Sequence, residues 1–305
     1  MVNKWKEVEL GDISTMKFGK KSEKGKDNFY SESELLVIAK GVDDIGKVKI
    51  SRPKSPVTNS SIVIKLNEDI ADKKYYYYYL KARNLKNISG DSKKSQITIR
   101  NLKKFKVKMP PLVEQQKIAR ILSTFDNKIK RGNRFSKALE KAAQAVFRHW
   151  FIDFEFPDEN DKPYKSSGGE IVNTKWGSLP KGWRVGKYIE ITDVISGAKP
   201  MAVNQSSFAL KGEETIDRYL VYMLTKDCNK KLLKRSGGFD FHIIDIDTFK
   251  SSNILIPSKA VIDKFKDTVT PLFVKMRQLN MTNNALSNLR NKLLHELTSG
   301  EMRVI

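Results

Sequence analysis

The chain has 305 residues, of which 57 are Lys or Arg and 35 are Asp or Glu, so its formal net charge is +22. Apolar residues make up 39% of the sequence, enough to bury real cores, which excludes a mainly disordered chain. This length favours about two domains. No apolar run reaches the ~18 residues that a membrane-spanning helix needs, and no secretory signal is present at the N-terminus. We therefore expect a soluble, cytoplasmic protein.

The residues that usually hold metals are scarce. Cys228 is the single cysteine, which excludes an intrachain disulfide and a cysteine-based zinc site. The three histidines, His149, His242 and His295, are far apart and disfavour a histidine-rich metal site. The excess positive charge favours a polyanionic partner, most often nucleic acid. A merely basic surface, or association with ribosomes or membrane surfaces, is the alternative.

Short β-branched or alternating segments predict strands. They are residues 48–50, 61–64, 96–99, 105–109 and 253–256. Residues 75–80, which include five tyrosines, and residues 219–224 instead predict the openings of short helices. The tyrosines could stack on bases, but alternate packing in a core is the favoured interpretation.

Apolar residues spaced by three and four over about 40 positions predict one long amphipathic helix in each half of the chain. The first stripe contains Ile118, Ile121, Leu122, Phe125, Ile129, Phe135, Leu139, Ala143, Val146, Phe147 and Trp150. The second contains Phe265, Val269, Leu272, Phe273, Met276, Leu279, Leu286, Leu289, Leu293, Leu294 and Leu297. A stripe this long needs a partner, and pairing of the two helices as a coiled coil is the simplest solution.

The ends of these helices also carry signals. Pro110 and Pro257 stand where proline is tolerated, at the start of a helix, and Gly300 is a candidate C-cap. Glycine and asparagine near the middle of each helix are candidate interruptions: Gly132, Asn133, Asn280, Asn283 and Asn284. Between the halves, residues 154–181 are rich in Pro, Gly, Ser and acids and predict an interdomain linker.

The two halves are related by an internal repeat, which decides the architecture. A shift of 147 positions aligns Pro110 with Pro257 and continues without gaps through the long helices. The tyrosine run aligns at a shift of 145, and Trp5 aligns with Trp183 at a shift of 178. Identities are few, but apolar positions stay apolar over a long stretch. We therefore expect each half to be a mixed domain followed by a long helix.

Four segments resemble the DNA-specificity subunit of type I restriction–modification systems. Residues 109–118 (MPPLVEQQKI) resemble the family's entry into its first conserved helix, and residues 148–157 (RHWFIDFEFP) resemble the end of that helix. Residues 162–170 (KPYKSSGGE) and 179–183 (LPKGW) resemble the central linker and the start of the second recognition domain. The resemblance covers the whole chain.

This resemblance implies an α+β fold with two mixed α/β target recognition domains, separated by a pair of long antiparallel coiled-coil helices. The implied boundaries are 1–110 and 183–257 for the recognition domains, 111–153 and 258–305 for the helices, and 154–182 for the linker. The implied partners are double-stranded DNA, two modification subunits and the restriction subunits. The chain itself is expected to hold no cofactor, because S-adenosylmethionine would bind the modification subunits.

Phosphates are usually contacted by Lys and Arg, and bases by side chains that donate and accept in the major groove. In the family, a loop after a Ser-Gly pair lies near the DNA, and this pair occurs here in both halves. The candidates in the first half are Lys20, Lys21, Lys93, Lys94, Gln96 and Arg100. Those in the second half are Lys199, Lys234, Arg235, Asp240 and His242.

Motifs for catalysis are missing from the sequence. It contains no Asn-Pro-Pro-Tyr or Asp-Pro-Pro-Tyr methyltransferase motif, no Gly-x-Gly cofactor loop and no Walker loop. Residues 157–162 resemble a nuclease motif only superficially, since the spacing is wrong. His149, at the end of an apolar helix face, is expected to pack rather than to react. We therefore predict a non-catalytic subunit.

The recognition domains are short for the family, with 105 residues from Trp5 to Pro110 and 74 from Trp183 to Pro257. Either the chain is a shortened natural or engineered variant, or internal stretches are absent from this sequence. The shortfall follows Gly19 and Gly197, where DNA-facing strands would be expected, so sequence preference should be weaker than in relatives. The alternative function is a degenerate specificity subunit, a scaffold or competitor that binds partners and DNA without reading bases.

Overall fold

The computed structural model describes residues 5–19, 32–41, 43–88, 96–195, 209–212, 216–235 and 246–304. The chain divides into two compact units. The first unit comprises Met1–Arg131 and Thr282–Ile305, and the second comprises Gly132–Met281. No helix in the described ranges combines the length and apolar character needed to cross a bilayer.

The first unit is a mixed α/β module that continues into a long helix. Its elements are β1 (Lys6–Glu9), β2 (Ser14–Phe18), β3 (Leu35–Ile38), β4 (Val48–Ile50), β5 (Ser61–Leu66), α1 (Lys73–Lys81), a 3₁₀ turn (Leu85–Ile88), α2 (Ile99–Lys103), β6 (Lys106–Met109) and the first part of α3 (Leu112–Phe151). β2, β5, β3 and β4 form an antiparallel sheet in that order, and β1 pairs with β6.

One face of the four-stranded sheet covers the core of the first unit. Ile62 and Ile64 of β5 are fully buried in this core, on one face of the strand because side chains alternate with a period of two, while Val63 between them is buried in a small cluster on the other face. On α1, Tyr75 and Tyr76 are fully buried, and the helix is capped by Asp72, which accepts a hydrogen bond from the Tyr75 amide at 2.8 Å. The expectation that the tyrosine run packs in a core is confirmed.

The second unit repeats the same plan after a hairpin. Its elements are β7 (Ile171–Thr174), β8 (Gly177–Pro180), β9 (Arg184–Lys187), a 3₁₀ turn (Tyr188–Glu190), β10 (Thr192–Ile195), β11 (Ala209–Gly212), α4 (Arg218–Arg235), α5 (Ile246–Lys250), β12 (Asn253–Ile256) and part of α6 (Lys259–Ser299). β7 and β8 form the hairpin, inside the segment predicted as a linker. The core of the second unit contains Tyr188, Phe249 and Phe265, which are all at most 1% exposed.

Strand pairing shows that the repeat is structural. In the first unit Lys6 pairs with Met109, and in the second unit Arg184 pairs with Ile256, which are the same positions after shifts of 178 and 147. In the same way, Ser14 pairs with Leu66 in the first unit, and Thr192 with Gly212 in the second. The two units therefore keep one register.

The long helices α3 and α6 pack antiparallel within each unit. In the first unit Asp126 of α3 pairs with Arg290 of α6, at 2.5 Å. In the second unit Phe151 of α3 meets Phe265 of α6 edge-on, with ring centroids 4.9 Å apart. Later residues of one helix thus meet earlier residues of the other. The predicted α+β fold, with its repeat and antiparallel helix pair, is confirmed.

Some details of the predicted helices are wrong. Both helices run through the candidate interruptions near Gly132 and Asn280 without a break. Phe135 and Leu289 belong to the predicted stripes but are 49% and 48% exposed. Among other residues of the predicted stripes, Leu122 is fully buried, while Phe125, Leu139 and Leu293 are half-buried. A straight helix drifts away from a strict heptad seam, so one stripe cannot stay buried along the whole length.

Two local predictions also need correction. Residues 96–99 were expected to form a strand, but α2 begins at Ile99, because Thr98 accepts a hydrogen bond from the Asn101 amide at 3.1 Å and caps the helix. His149 was expected to pack, but its side chain is exposed on α3. The prediction followed from the apolar residues near His149 in the sequence, which belong to the buried face of the helix, whereas His149 itself does not.

The start of α3 is held by Glu114, which is 7% exposed. The Trp5 indole donates to Glu114 Oε2 at 3.1 Å, and the Arg303 guanidinium donates to both carboxylate oxygens, at 2.7 and 2.9 Å. Arg303 also lies 5.3 Å from the centre of the Trp5 ring. We call these three residues the Glu114 cluster. It ties residues far apart in sequence to the same helical turn.

Candidate nucleic-acid interface

A basic pocket lies in the first unit, between the β3–β4 turn and the end of α1. It encloses about 370 Å³, and its lining is rich in cations. The charged lining residues are Lys47, Lys49, Lys81, Arg83 and Lys86. With the neutral Tyr77 and Asn84 beside them, these groups offer both charge and hydrogen-bond donors to an anion.

Gly46 brings the two sides of this pocket together. Its φ is +82°, a left-handed conformation that glycine adopts without strain. A Cβ there would lie 2.8 Å from the Lys86 nitrogen, so the turn approaches the 3₁₀ turn more closely than any other residue allows. The Gly46 amide also donates to the Ile38 carbonyl at 2.8 Å, which fixes the turn on β3.

The cations of the pocket differ in what holds them. Lys47 pairs with Asp44, and this hydrogen bond raises the pKa of Lys47, so that it stays charged. Lys81 donates to the Tyr77 hydroxyl at 3.0 Å. Lys49 and Lys86 both have exposed side chains, and the exposed Lys49 is the one on the strand β4.

Arg83 has a structural role instead. Its guanidinium donates to the Thr298 hydroxyl at 2.9 Å and to the Thr298 carbonyl at 3.1 Å, and it covers the Tyr79 ring at 3.9 Å. A cation at the last turn of α6 also complements the helix dipole. Arg83 therefore fastens α1 to α6 within the first unit rather than reaching outward.

The outer face of the four-stranded sheet carries lysines near its edges. The register places Lys17 opposite Val63, Val63 opposite Leu36, and Leu36 opposite Lys49, so one row crosses all four strands with a lysine at each edge. Lys65, two residues from Val63, points to the same face. The lysines thus lie at both edges of this row, while Val63 and Leu36 between them are buried in a small apolar cluster with Val57.

The described residues on either side of the predicted DNA-facing loop lie near this pocket. Ile88 and Gln96 border residues 89–95, and the Asn101 side chain donates to the Ile88 carbonyl at 3.1 Å. The Ile97 amide donates to the Ala39 carbonyl at 3.0 Å, beside the β3–β4 turn. Both borders of the loop are therefore held next to the basic pocket.

Most of the predicted site residues lie outside the described residues. Gln96 and Arg100 are described, and both are exposed near the base of the predicted loop. Lys20, Lys21, Lys93, Lys94, Lys199, Asp240 and His242 fall outside the described ranges, and Lys234 and Arg235 belong to α4 with side chains that are not described. The predicted contacts therefore stay predictions.

Sequence reasoning missed Lys47, Lys49, Lys81 and Lys86. The alternation around Val48 marked a strand with outward lysines, but nothing local showed that a turn and a helix end would bring four cations to one pocket.

Among the described residues no group of His, Cys, Asp or Glu is arranged to hold a metal ion.

The pocket has no full counterpart in the described part of the second unit. Lys226 aligns with Lys81 at the repeat shift, but it pairs with Glu140. Between β2 and β5 the first unit has 42 residues, which include β3 and β4, whereas 13 residues separate β10 from β11. The chain of the second unit is thus too short at this point for an equivalent sheet extension.

The fold therefore consists of two copies of one α/β module, each built on antiparallel stretches of the same two helices. The family model for the type I restriction modification DNA specificity domain matches residues 24–141. The solved S subunit of the type I restriction–modification system from M. genitalium has the same fold, with a TM-score of 0.61 at 16% identity, covering 97% of this chain and 96% of that chain.

Two curated relatives come from Methanocaldococcus jannaschii. The type I restriction enzyme MjaIX specificity subunit is 27% identical over 336 residues, covering 85% of this chain and 76% of the relative. The MjaVIII specificity subunit is 28% identical over 174 residues, covering 56% of this chain and 38% of the relative. The resemblance of the sequence to type I restriction–modification DNA-specificity proteins is confirmed by these similarities.

Proposed function

We propose that the chain is the DNA-recognition subunit of a type I restriction–modification complex and that each unit reads one half of a bipartite duplex target. The observation that carries this proposal is the shared strand register, because two copies of one module are suited to two half-sites. The alternative, a scaffold that does not read bases, is not favoured by the family and its relatives.

The test is methylome sequencing of cells that express the chain with its modification subunit. Modified adenines should fall in one motif with two defined halves and a fixed, non-specific spacer. Cells that carry the modification subunit alone provide the control. Methylation scattered without a motif would support the scaffold instead.

The chemistry belongs, in this proposal, to partners. Two modification subunits would bind S-adenosylmethionine and methylate adenine, and restriction subunits would translocate and cut the DNA. The purified chain should neither methylate nor cleave duplex DNA, although its complexes should do both. Methyl transfer by the isolated chain supplied with S-adenosylmethionine would contradict this division of labour.

The basic pocket would contact the DNA backbone. When lysines neutralise DNA phosphates, the logarithm of the binding constant falls linearly with the logarithm of the salt concentration. Each phosphate contact that is lost makes this slope shallower by about one. Lys49→Glu should therefore weaken binding to all duplexes alike and flatten the salt dependence. Lys259→Glu, the same charge change at an exposed position of α6 in the second unit, is the matched control.

Base discrimination would come from the predicted DNA-facing loops of the two halves. Substitutions at Gln96 or His242 should shift preference between duplexes, whereas charge reversal at Lys93 and Lys94 should weaken all duplexes equally. A binding titration of random and selected duplexes at two salt concentrations separates these effects. If the affinity changed neither with salt concentration nor with charge reversal at Lys93 and Lys94, the loop of the first half would not be part of the DNA interface.

A further inference from the structure

In the first unit, one carboxylate joins the short helix of the α/β module to both long helices. The Tyr78 hydroxyl of α1 donates to Asp126 Oδ2 at 2.8 Å, and Arg290 of α6 donates to Asp126 Oδ1 at 2.5 Å. The Tyr78 ring is 4% exposed, and the side chains of Arg290 and Asp126 are 18% and 28% exposed. The bonds therefore form in a largely dehydrated site.

In the second unit, Glu140 of α3 also accepts from a tyrosine of the module, at a more exposed site where Tyr222 is 42% exposed. It accepts a hydrogen bond from the Tyr222 hydroxyl of α4 at 2.7 Å, and one from the Lys226 ammonium a turn later. Phe273 of α6, which aligns with Asp126 by the repeat, stacks on Tyr219 at 4.2 Å. In both units the module is thus held by a tyrosine–carboxylate bond to α3 and by a contact with α6.

Apolar packing and these hydrogen bonds restrain the modules in different ways, because only the hydrogen bonds are directional. Hydrophobic contacts are non-directional, so they resist separation but tolerate small rotations of one helix over another. A hydrogen bond to a carboxylate weakens steeply when its distance or angle changes. Burial and the bond to Asp126 both raise the pKa of Tyr78, so its hydroxyl keeps the proton that it donates.

We propose that Asp126 and Glu140 are positioning residues that fix the angle at which each module is held on the helix pair, and so restrict the half-site spacing that the chain accepts. This inference rests on the proposed bipartite reading of DNA. One added base pair moves a half-site by ~3.4 Å and rotates it by roughly 35° about the duplex axis. A module free to turn on its helix would tolerate such a change, whereas an anchored one would not.

The test removes single hydroxyl groups and keeps the rings. Tyr78→Phe and Tyr222→Phe each delete one tyrosine hydroxyl from an anchor. Tyr164→Phe is the matched control, because the Tyr164 hydroxyl donates at 2.9 Å to the Glu170 carbonyl, six residues away, and contacts neither long helix through a hydrogen bond in the described structure. Half-sites are first selected from random duplexes with the wild-type chain in complex with its modification subunits. Affinity is then measured for duplexes with the selected spacer and with spacers one base pair longer or shorter.

We expect Tyr78→Phe and Tyr222→Phe to lower the discrimination between the selected and altered spacers by roughly tenfold, through tighter binding of the altered ones. Tyr164→Phe should keep the wild-type ratio. Hydrogen exchange of the two units checks that each variant is folded, and Asp126→Asn provides a second variant of the same anchor.

The outcomes separate this inference from the proposed function. A wild-type chain without any spacer preference would overturn both. Wild-type preference that survives in both anchor variants would overturn the positioning role alone. Equal loss of affinity for all spacers would also overturn it, because it would show that the anchors contribute only stability.

Discussion

Replacing Glu114 by glutamine tests how the start of α3 is held. The substitution keeps the shape of the side chain but removes the charge that accepts bonds from Trp5 and from the two Arg303 nitrogens. A hydrogen bond to a charged group contributes ~1.5–3 kcal/mol, and Glu114 is 7% exposed. Because the Arg303 side chain is 27% exposed and can be rehydrated, we expect a loss of about 2 kcal/mol for Glu114→Gln.

The assay must resolve the two units, since a chain with two cores need not unfold in one step. Hydrogen exchange of peptides from β1, β6 and the start of α3, measured across a urea series, gives the free energy of opening of the first unit. Asp263→Asn is the matched control, because its ion pair with Lys259 is exposed and joins two residues of one helix. A loss below about 0.5 kcal/mol for Glu114→Gln, or an equal loss for the control, would refute the reasoning.

Three further predictions rest on the described contacts. Burial alone would raise the pKa of Glu114, but the hydrogen bonds from Arg303 and Trp5 lower it below its ordinary value. The stability that this carboxylate contributes should therefore be complete above the ordinary glutamate pKa and be lost as pH falls through the lowered pKa. Hydrogen exchange measured across an acid titration should show this loss in the wild type and not in Glu114→Gln. Leu122→Ala removes a fully buried side chain and should cost ~2–5 kcal/mol by urea unfolding, and an unchanged midpoint would contradict the packed helix pair. Gly46→Ala should displace the β3–β4 turn and weaken DNA binding in a filter or anisotropy titration, since a left-handed φ and a contact of 2.8 Å both oppose the added Cβ; wild-type affinity would remove the turn from the interface.

The repeat made the architecture predictable. A constant shift of 147 placed α2 over α5, β6 over β12 and α3 over α6, and the structure shows these pairs at the same shift. Periodicity alone located the long helices to within a few residues, because a stripe at 3.6-residue spacing persists over many turns. Short elements were less predictable. At residues 96–99 the β-branched residues favour a strand, but Thr98 caps a helix that begins at Ile99.

The candidate site was less accessible to sequence reasoning than the fold. Its lysines come from a turn, a strand and the end of α1, and each one alone is indistinguishable from a solvated surface charge. What gathers them is the close approach of Gly46 to the backbone at Lys86, a contact between residues 40 positions apart. Glycine in a strand–turn region signals close approach in general, but it does not name the partner.

The Glu114 cluster shows why even an internal repeat cannot reveal every contact. At the repeat shifts, Glu114 aligns with Val261, Arg303 with Phe156 and Trp5 with Trp183. In the second unit Phe156 stacks on Trp183 at 4.9 Å, while in the first unit Arg303 lies over Trp5 at 5.3 Å.

Each unit therefore places a side chain from the segment after one long helix on the tryptophan beside the start of the other. The chemistry differs, because an arginine over a ring can also reach a carboxylate, whereas a phenylalanine can only stack. The geometry of the repeat is kept between the units while the residue types are not. For this reason alignment of the halves identifies the tryptophans, and only the three-dimensional structure identifies what covers them.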